Sequence, residues 1–573
     1  MRVHWRTWSQ QAFETAKKEN KPILLNLFAV WRHWCHRMDA DCYENDEIAS
    51  IINSRTIPVR VDIDERPDIK ERYHAGGFPT TAFLDAAGNK LLGGTYFPPH
   101  EMKVLINQIA DNFHKIVEQK RKAVSEKTPV SPHSPQKAEL DKQLVEAITQ
   151  ELITTADLFH GGWGGAPKFP PHAAINAACA LFQKTADAKL RDAVVKTLNG
   201  LRGIYDPVEG GFFRYAINQD WSEPHYEKLL ETNAGLLRNY LYGFVTTKDE
   251  EYRKITQGII SYLNKNLTGQ ELGGFFASQD ADEEYYALDM NKRKACKAPA
   301  TDKTVFVNLN AQAVSAYLDA AQILGDQAAL AFALKTLDVL LGNYVSSQGV
   351  AHYRREENRK TQTVQGLFAD VVFLATACLD AYEATFNAKY RTAALDLLKQ
   401  FEHFYCTTEK LFRDRKTQDE DIGDLTKARF DFFENIAACD FLLRCCDHTE
   451  NEALKERART VLTALAPHAP PYHANGAGFA MAVERMLTGF VVHIVGARDT
   501  VRDSPLLQQL AQVVLPKSVV TLDIRDDVKL LQEKGYPLSE KPAAYVCYNG
   551  MCRPPASDIV RLQKILAGII KQA

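Results

Sequence analysis

Apolar positions in the first 120 residues follow two periods. Residues 23–29 form a short, nearly unbroken apolar run, and residues 56–62 set Ile57, Val59 and Val61 at a period of two, so both predict strands. Segments 80–84 and 90–92 flank Ala87-Gly88-Asn89, which reads as a hairpin turn. Helical runs fill the gaps, and the alternation predicts an α/β unit over residues 1–120. Residues 121–137 carry three prolines, three serines and no aromatic side chain, and predict a linker. From 138 to 485 the period is helical almost throughout: Leu190, Val194, Leu198 and Leu201 share a face, as do Leu237, Tyr240, Leu241 and Phe244. Gly-Gly-aromatic loops at Gly161-Gly162-Trp163, Gly210-Gly211-Phe212 and Gly273-Gly274-Phe275 recur about 50 to 60 residues apart. That spacing is close to the length of a helical hairpin and predicts a ring of helix pairs. Residues 486–573 return to strands at 490–495, 519–524 and 543–548, followed by a helix over 558–571, a small α/β appendage.

Composition adds exclusions. The 573 residues are 45% hydrophobic and 25% charged with a net charge of −3, so neither a nucleic-acid footprint nor a basic membrane-surface face is expected. No apolar run approaches the roughly 18 residues of a membrane span. No secretory signal is read in the first 20 residues, and the eleven cysteines are scattered, with Cys179, Cys378, Cys439 and Cys445 in apolar helical patterns. The expected compartment is the cytoplasm. No cofactor and no metal site is predicted.

Chemistry concentrates first at Trp31-Arg32-His33-Trp34-Cys35-His36-Arg37-Met38, which follows the first strand and opens a helix. A thiol at a helix N-terminus feels the positive end of the dipole, which favours thiolate, and His33 and His36 add positive charge. Pro79, after Gly77-Phe78, is a candidate for a cis bond facing that thiol. A second pair lies in Cys547-Tyr548-Asn549-Gly550-Met551-Cys552, where Asn-Gly predicts a two-residue hairpin and sets Cys547 opposite Cys552. The pair is expected to be two reduced thiols, with a labile disulfide as the alternative.

These motifs together resemble the spermatogenesis-associated, thioredoxin-like proteins. The resemblance rests on Trp34-Cys35-His36 with Met38, Val61-Asp62 with Glu65-Arg66-Pro67-Asp68, Gly77-Phe78-Pro79 and Gly93-Gly94-Thr95-Tyr96-Phe97-Pro98. It continues through residues 164–170 (Gly-Gly-Ala-Pro-Lys-Phe-Pro), Ile204-Tyr205-Asp206, Gly210-Gly211-Phe212, Pro224-His225-Tyr226-Glu227-Lys228, Asp280-Ala281-Asp282 and Ala544-Tyr545-Val546-Cys547. It implies a multidomain fold: a thioredoxin-like α/β domain, then an (α/α)6 barrel similar to N-acylglucosamine 2-epimerases and six-hairpin glycosidases, then the small appendage. The family pattern has a cysteine three residues before Cys35; here that position is Arg32. Dithiol turnover at this site is therefore not expected. Cys35 remains as a structural leftover, a single-thiol sensor, or a soft-metal ligand with His33 and His36.

The resemblance implies a sugar or glycan ligand for the barrel and a protein partner for the thioredoxin-like domain. Pro224 is read as opening a helix on which His225, Lys228 and Thr232 share a face, with His225 the first choice for proton transfer. Hydrolysis would draw its two carboxylates from Asp280, Asp282, Glu227 and Asp370, whereas epimerisation would pair His225 with His352 or His172. Trp163, Asp206, Phe212, Arg214, Lys228 and Asn310 are the candidate substrate-binding residues, and Cys35, Cys547 and Cys552 the redox candidates. A single-thiol redox sensor and a non-catalytic scaffold stand as alternatives to a carbohydrate enzyme.

Overall fold

The computed structural model describes residues 2–126, 139–269, 273–357, 360–502, 504–548 and 550–572. The N-terminal unit runs α1 (Gln10–Glu19), β1 (Ile23–Phe28), α2 (His33–Met38), α3 (Asp46–Arg55), β2 (Ile57–Asp62), α4 (Pro67–Tyr73), β3 (Thr80–Leu84), β4 (Lys90–Gly94), α5 (Pro99–Asp111) and α6 (Phe113–Glu126). Its sheet has the order β2-β1-β3-β4, with β1 parallel to β2 and antiparallel to β3. Period-two burial sends Leu25, Leu27, Val59 and Ala82 to the face covered by α1 and α4. Leu24 and Phe83 go to the opposite face, with Met38, Ile48, Ile52, Met102 and Ile106. The segment read as a linker begins inside α6, and residues 127–138 lie outside the described residues. The Phe78–Pro79 peptide is cis.

The central part is six helical hairpins. The outer helices are α7 (Lys142–Thr155), α9 (Ala188–Leu201), α11 (Glu250–Asn266), α15 (Gln327–Asn343), α17 (Ala388–Leu398) and α19 (Glu452–Leu465). Each is followed along the chain by an inner helix: α8 (His172–Thr185), α10 (Leu230–Thr247), α14 (Val307–Leu324), α16 (Phe368–Thr385), α18 (Phe432–Thr449) and α20 (Ala477–Thr488). Two short helices, α12 (Glu283–Tyr286) and α13 (Met290–Ala295), lie in the loop before α14. Neighbouring inner helices touch in sequence and α20 returns to α8, which closes the ring: an (α/α)6 toroid.

Two local devices repeat around it. Inner helices end on a left-handed residue (Ala186, Lys248, Gly325, Phe386, Glu450), and the next residue (Asp187, Asp249, Asp326, Asn387, Asn451) caps the following outer helix with its side chain. These turns are as short as a helix pair permits, so every long loop falls at the opposite end, before an inner helix. There the second device acts. Asn233, Asn310 and Asn435 clamp the backbone N–H and C=O of Phe212, Phe275 and Phe412, with N–H contacts of 2.7, 2.7 and 2.8 Å. The loop aromatics are driven into the core, and Phe212 and Phe275 are fully buried. In the first loop, a Cβ on Gly161 would stand 2.3 Å from the Lys196 carbonyl, and its φ is +84°, so only glycine fits.

The last part runs β5 (Phe490–Gly496), α21 (Arg498–Arg502), α22 (Pro505–Leu510), β6 (Lys517–Asp523), α23 (Val528–Glu533), β7 (Ala543–Tyr548), β8 (Met551–Cys552) and α24 (Ile559–Gln572). Its sheet order is β6-β5-β7-β8, with β5 parallel to β6 and antiparallel to β7. From β1 to α5 and from β5 to α24, element order, strand order and strand direction are the same. The appendage thus repeats the thioredoxin-like topology, with Pro542 before β7 where Pro79 precedes β3.

The two α/β units cap opposite ends of the toroid. The N-terminal unit sits on the long-loop end, where Arg72 pairs with Asp414 at 2.6 Å, His352 meets the Asp64 carbonyl at 2.8 Å, and Tyr73 accepts from the Asp424 N–H at 2.8 Å. The C-terminal unit closes the short-turn end through Gln183 to Val514, Ser518 to Asp447 and Tyr382 to Thr521.

Candidate functional site

The redox-position motif faces the toroid, but its thiol does not. Cys35 is 2% exposed, accepts a weak bond from the Ala29 N–H at 3.4 Å, and is pushed up to about 12 by burial. Desolvation outweighs the helix dipole, so burial opposes the thiolate that the helix position alone predicts, and the sulfur is not exposed. Arg32, in the place of the first cysteine, reaches the Phe78 carbonyl at 3.4 Å and the Glu227 carboxylate at 3.3 Å. His36 turns to Asp280 at 2.9 Å, which raises its pKa, so it does not join Cys35 and His33 around a metal.

The segment around His225 differs from its predicted form. Pro224–His225 is a two-residue strand paired with Tyr215–Ala216, and the helix begins only at Leu230. Its residues therefore alternate in direction instead of sharing a helical face. His225 stacks on Tyr215 at 4.3 Å and stands 3.8 Å from Glu227; burial and the nearby Arg32 and Arg214 lower its pKa to about 4. Arg214 lies over the Trp31 ring at 4.5 Å. Glu227 Oε2 and Arg214 Nη1 are buried without a hydrogen-bond partner.

The remaining sequence candidates are engaged elsewhere. Lys228 binds Asp206 at 2.7 Å, and Arg293 joins Asp206 at 2.7 Å and Glu209 at 3.2 Å, in a buried ion cluster that ties two long loops together. Asp282 caps α12, Asn310 clamps Phe275, and the Trp163 indole donates to the Leu152 carbonyl at 2.9 Å. Asp370 accepts from His352 Nδ1 at 2.9 Å while His352 Nε2 meets the Asp64 carbonyl. Both ring nitrogens thus face acceptors, and the pKa of His352 rises despite its burial. Of the sequence candidates for catalysis or substrate binding, only His172, read there as a partner for His225, lines the lumen of the toroid.

That lumen is a cavity of about 570 Å³ running from the first turns of the inner helices (His172, Glu231, Phe433) down to the C-terminal unit (Leu515, Lys517). Its middle is a layer of ion pairs: Arg238–Asp319 at 2.6 Å, Arg444–Asp380 at 2.7 Å and Arg485–Asp440 at 2.6 Å. Lys517 closes the floor, lowered to about 8 by burial. Near the mouth, Asn239 Nδ2 donates to the His172 carbonyl at 3.0 Å, a group that can only accept, so Asn239 Oδ1 faces His172 Nδ1 at 2.7 Å. Nδ1 therefore carries the proton, and Nε2 presents a bare lone pair. Burial also lowers the His172 pKa, which keeps the ring neutral. Glu231, exposed in the mouth, lies close enough to influence His172, and its carboxylate forms no hydrogen bond among the described residues. Charged side chains inside otherwise apolar helices were the signal for this layer: Asp319 interrupts Ala316-Tyr317-Leu318, and Asp440 and Arg444 flank Phe441-Leu442-Leu443.

Among the described residues, the one His/Cys/Asp/Glu group whose ligand atoms converge within 4.8 Å is His493, Cys547 and Cys552. Cys547 and Cys552 pair across β7 and β8 as predicted and are joined by a disulfide, where two reduced thiols were expected; Asn549 lies outside the described residues.

Residues 1–131 match the Thioredox_DsbH family, described as a protein of unknown function, DUF255. Spermatogenesis-associated protein 20 of Rattus norvegicus and of Homo sapiens are each 31% identical to the chain over 307 residues, covering 49% of this chain and 39% of theirs. The chain thus matches less than half the length of these relatives. Among solved structures, the cellobiose 2-epimerase of Bacillus thermoamylovorans is 13% identical with a TM-score of 0.47, over 60% of this chain and 100% of that one. A GH76 α-mannanase of Bacteroides thetaiotaomicron is 10% identical with a TM-score of 0.44, over 60% of this chain and 94% of that one. No helix among the described residues is long and apolar enough to cross a membrane. The chain joins a Thioredox_DsbH-type domain to an (α/α)6 toroid and is similar to the spermatogenesis-associated thioredoxin-like proteins, with Arg32 where their pattern carries the first cysteine.

Proposed function

We propose that the toroid lumen binds a mono- or disaccharide and catalyses proton transfer beside its carbonyl, as a sugar epimerase or isomerase does. The observation that carries this reading is the tautomer of His172: a neutral ring, its proton held on Nδ1 by Asn239, with Nε2 bare in a cavity of about 570 Å³. That volume lies within the usual range for small-molecule sites. Nε2 accepts the proton from the carbon next to the carbonyl, and the electron pair moves onto the carbonyl oxygen to give an enediolate. Arg238, fixed by Asp319, supplies donors toward that oxygen. A water near Glu231 reprotonates the carbon from the other face, and the proton held on His172 Nε2 passes through solvent to the hydroxide left behind, which restores the neutral ring.

Hydrolysis is less well supported. It needs two working carboxylates. Of the carboxylates lining the lumen, Asp319, Asp380, Glu383 and Asp440 are each committed to an arginine, which leaves Glu231. The test is incubation of the full chain with a panel of reducing hexoses and disaccharides in D2O, read by proton NMR. Loss of the signal at the carbon beside the carbonyl, abolished in His172→Asn, is expected. Release of free sugar from glycosides without such exchange, retained in His172→Asn and lost in Glu231→Gln, would overturn it.

A further inference from the structure

The C-terminal unit carries chemistry that the lumen does not use. β5 and β7 are antiparallel with His493 opposite Tyr545 and Val491 opposite Cys547, so alternate residues His493, Tyr545 and Cys547 project from one face of the sheet. Cys552 on β8 lies opposite Cys547 and shares that face. Tyr536, which follows α23, leans over the same spot: its hydroxyl is 2.8 Å from His493 Nδ1, 3.5 Å from Cys552 Sγ and 3.8 Å from Cys547 Sγ. His493 Nδ1 is itself 3.9 Å from Cys547 Sγ. One imidazole nitrogen, two sulfurs and a phenol oxygen thus converge on a single point. His493 is buried and held by its strand, whereas Cys552 is exposed.

We propose that this cluster is a redox-gated site for a thiophilic divalent cation such as Zn2+, closed while Cys547 and Cys552 are joined and opened when they are reduced. The balance is simple. The disulfide takes two electrons from the reductant and yields two thiols: with two thiols as reductant the protons are theirs and they leave as a disulfide, and with a phosphine the protons come from a water whose oxygen leaves as phosphine oxide. Each protein thiol then loses its proton as the cation binds. Zinc–sulfur distances of about 2.3 Å and a zinc–nitrogen distance of about 2.0 Å, in a tetrahedral site, require sulfur–nitrogen separations of about 3.5 Å. The observed 3.9 Å between His493 Nδ1 and Cys547 Sγ is within a small side-chain adjustment of that. The pairing of β7 with β8 keeps the two cysteines opposite each other after the bond opens, so the second sulfur stays in reach. Three protein ligands leave a fourth position, and the Tyr536 hydroxyl is the adjacent oxygen, either as that ligand or as the partner of a bound water. The disulfide and the metal compete for the same sulfur electron pairs, so the site reads thiol–disulfide state as metal occupancy.

The full chain, as isolated and after phosphine reduction, is titrated with Zn2+ against a chromophoric chelator, and Co2+ is used as a spectroscopic substitute. The expected result is one tight site per chain in the reduced protein, with thiolate-to-cobalt charge transfer, and none in the oxidised protein. Cys552→Ser abolishes the tight site; its side chain is exposed, so the fold is undisturbed. His493→Asn weakens it by at least as much as loss of an outer-shell partner would, about tenfold. Equal Zn2+ binding by reduced and oxidised chains, or tight binding that survives Cys552→Ser, would place the metal on other cysteines and overturn the proposal. Tight binding unchanged in His493→Asn overturns the three-ligand assignment.

Discussion

Arg32 and Glu227 make the sharpest test of how the two halves of this chain are joined. The pair is 3.3 Å long, with the glutamate side chain fully buried and the arginine 13% exposed. At an effective dielectric of about 20, two unit charges at that distance attract by about 5 kcal/mol, most of it offset by desolvation. Arg32→Met leaves a carboxylate in the interior whose second oxygen already lacks a partner. Stranding a buried charge costs about 3–5 kcal/mol, and the lower end, about 3 kcal/mol, applies here because Arg214 also lies within electrostatic reach of Glu227. Arg32→Cys, which restores the C-x-x-C spacing, carries the same loss and gains no dithiol turnover, since Cys35 stays buried. The assay is a double-mutant cycle of urea unfolding with Arg32→Met and Glu227→Gln, accompanied by hydrogen exchange over residues 30–38 and 224–229. A coupling of about 2 kcal/mol or more is expected, with faster exchange in both segments. A coupling below about 0.5 kcal/mol, the range of exposed pairs, would refute the claim that this ion pair locks the thioredoxin-like unit onto the toroid.

Four further outcomes follow from the same contacts. Cys35 will resist iodoacetamide in the native chain at neutral pH while the exposed Cys296 labels, as mass spectrometry of the digested protein would report. The His36 imidazole will titrate above its ordinary range and fall back toward it in Asp280→Asn, measured by NMR. Because its folded pKa is raised, the His36 contribution to docking is complete below about pH 6.5 and is lost as pH rises through the folded value. Asn310→Ala strands the Phe275 N–H and C=O and should lower stability by about 3 kcal/mol in urea with sugar affinity unchanged; a loss of affinity alone would instead make Asn310 a ligand contact. Gly235→Ala puts a Cβ 2.6 Å from His172 Cε1. The fold should hold, helped by helix propensity, while D2O exchange drops by about a hundredfold, the cost of a displacement on the order of 1 Å at a reacting group.

The strands of both α/β units were legible because a sheet buried against helices forces period two or an unbroken apolar run, and both patterns survive in one sequence. The ring of hairpins was legible through its glycine loops, although the stronger signal lies at the other end: Ala186-Asp187, Lys248-Asp249, Gly325-Asp326, Phe386-Asn387 and Glu450-Asn451, each a left-handed residue followed by a cap. Only one of the five carries glycine, so composition hides them. The site was harder to read. Histidines and aspartates in motif-rich loops draw attention, yet those loops make the contacts that hold the cap, and a polar group in a contact looks the same in sequence as a polar group at work. Asp206, Lys228, Asp282 and Asn310 all have complete structural partners. The lumen residues sit inside helices whose remaining faces are apolar, and which face points to the axis is decided by ring closure between helices far apart in the chain. His172 entered the sequence reading only as a partner for His225; its tautomer depends on Asn239, 67 residues away.

Arg32, at the position where the resembling family carries a cysteine, is intelligible only with Glu227 in view. A thioredoxin-like nucleophile must be exposed, and Arg32 instead occupies the contact between the two units. The adjacent Trp31 donates to Asp64 at 2.6 Å and lies beneath Arg214, and the Asp64 carbonyl meets His352. Two neighbouring residues, Trp31 and Arg32, therefore fix both the 31–36 segment and the loop after β2 over the mouth of the toroid. Asp64, held there by burial with a raised pKa, stands within electrostatic reach of Glu231 at the lumen entrance. A small thiol at position 32 could not bridge to Glu227, and an exposed Cys35 would require that loop to lift away. Redox chemistry and a closed cap are thus alternatives for one loop, and in this chain the buried thiol, the arginine and the buried glutamate all favour the cap.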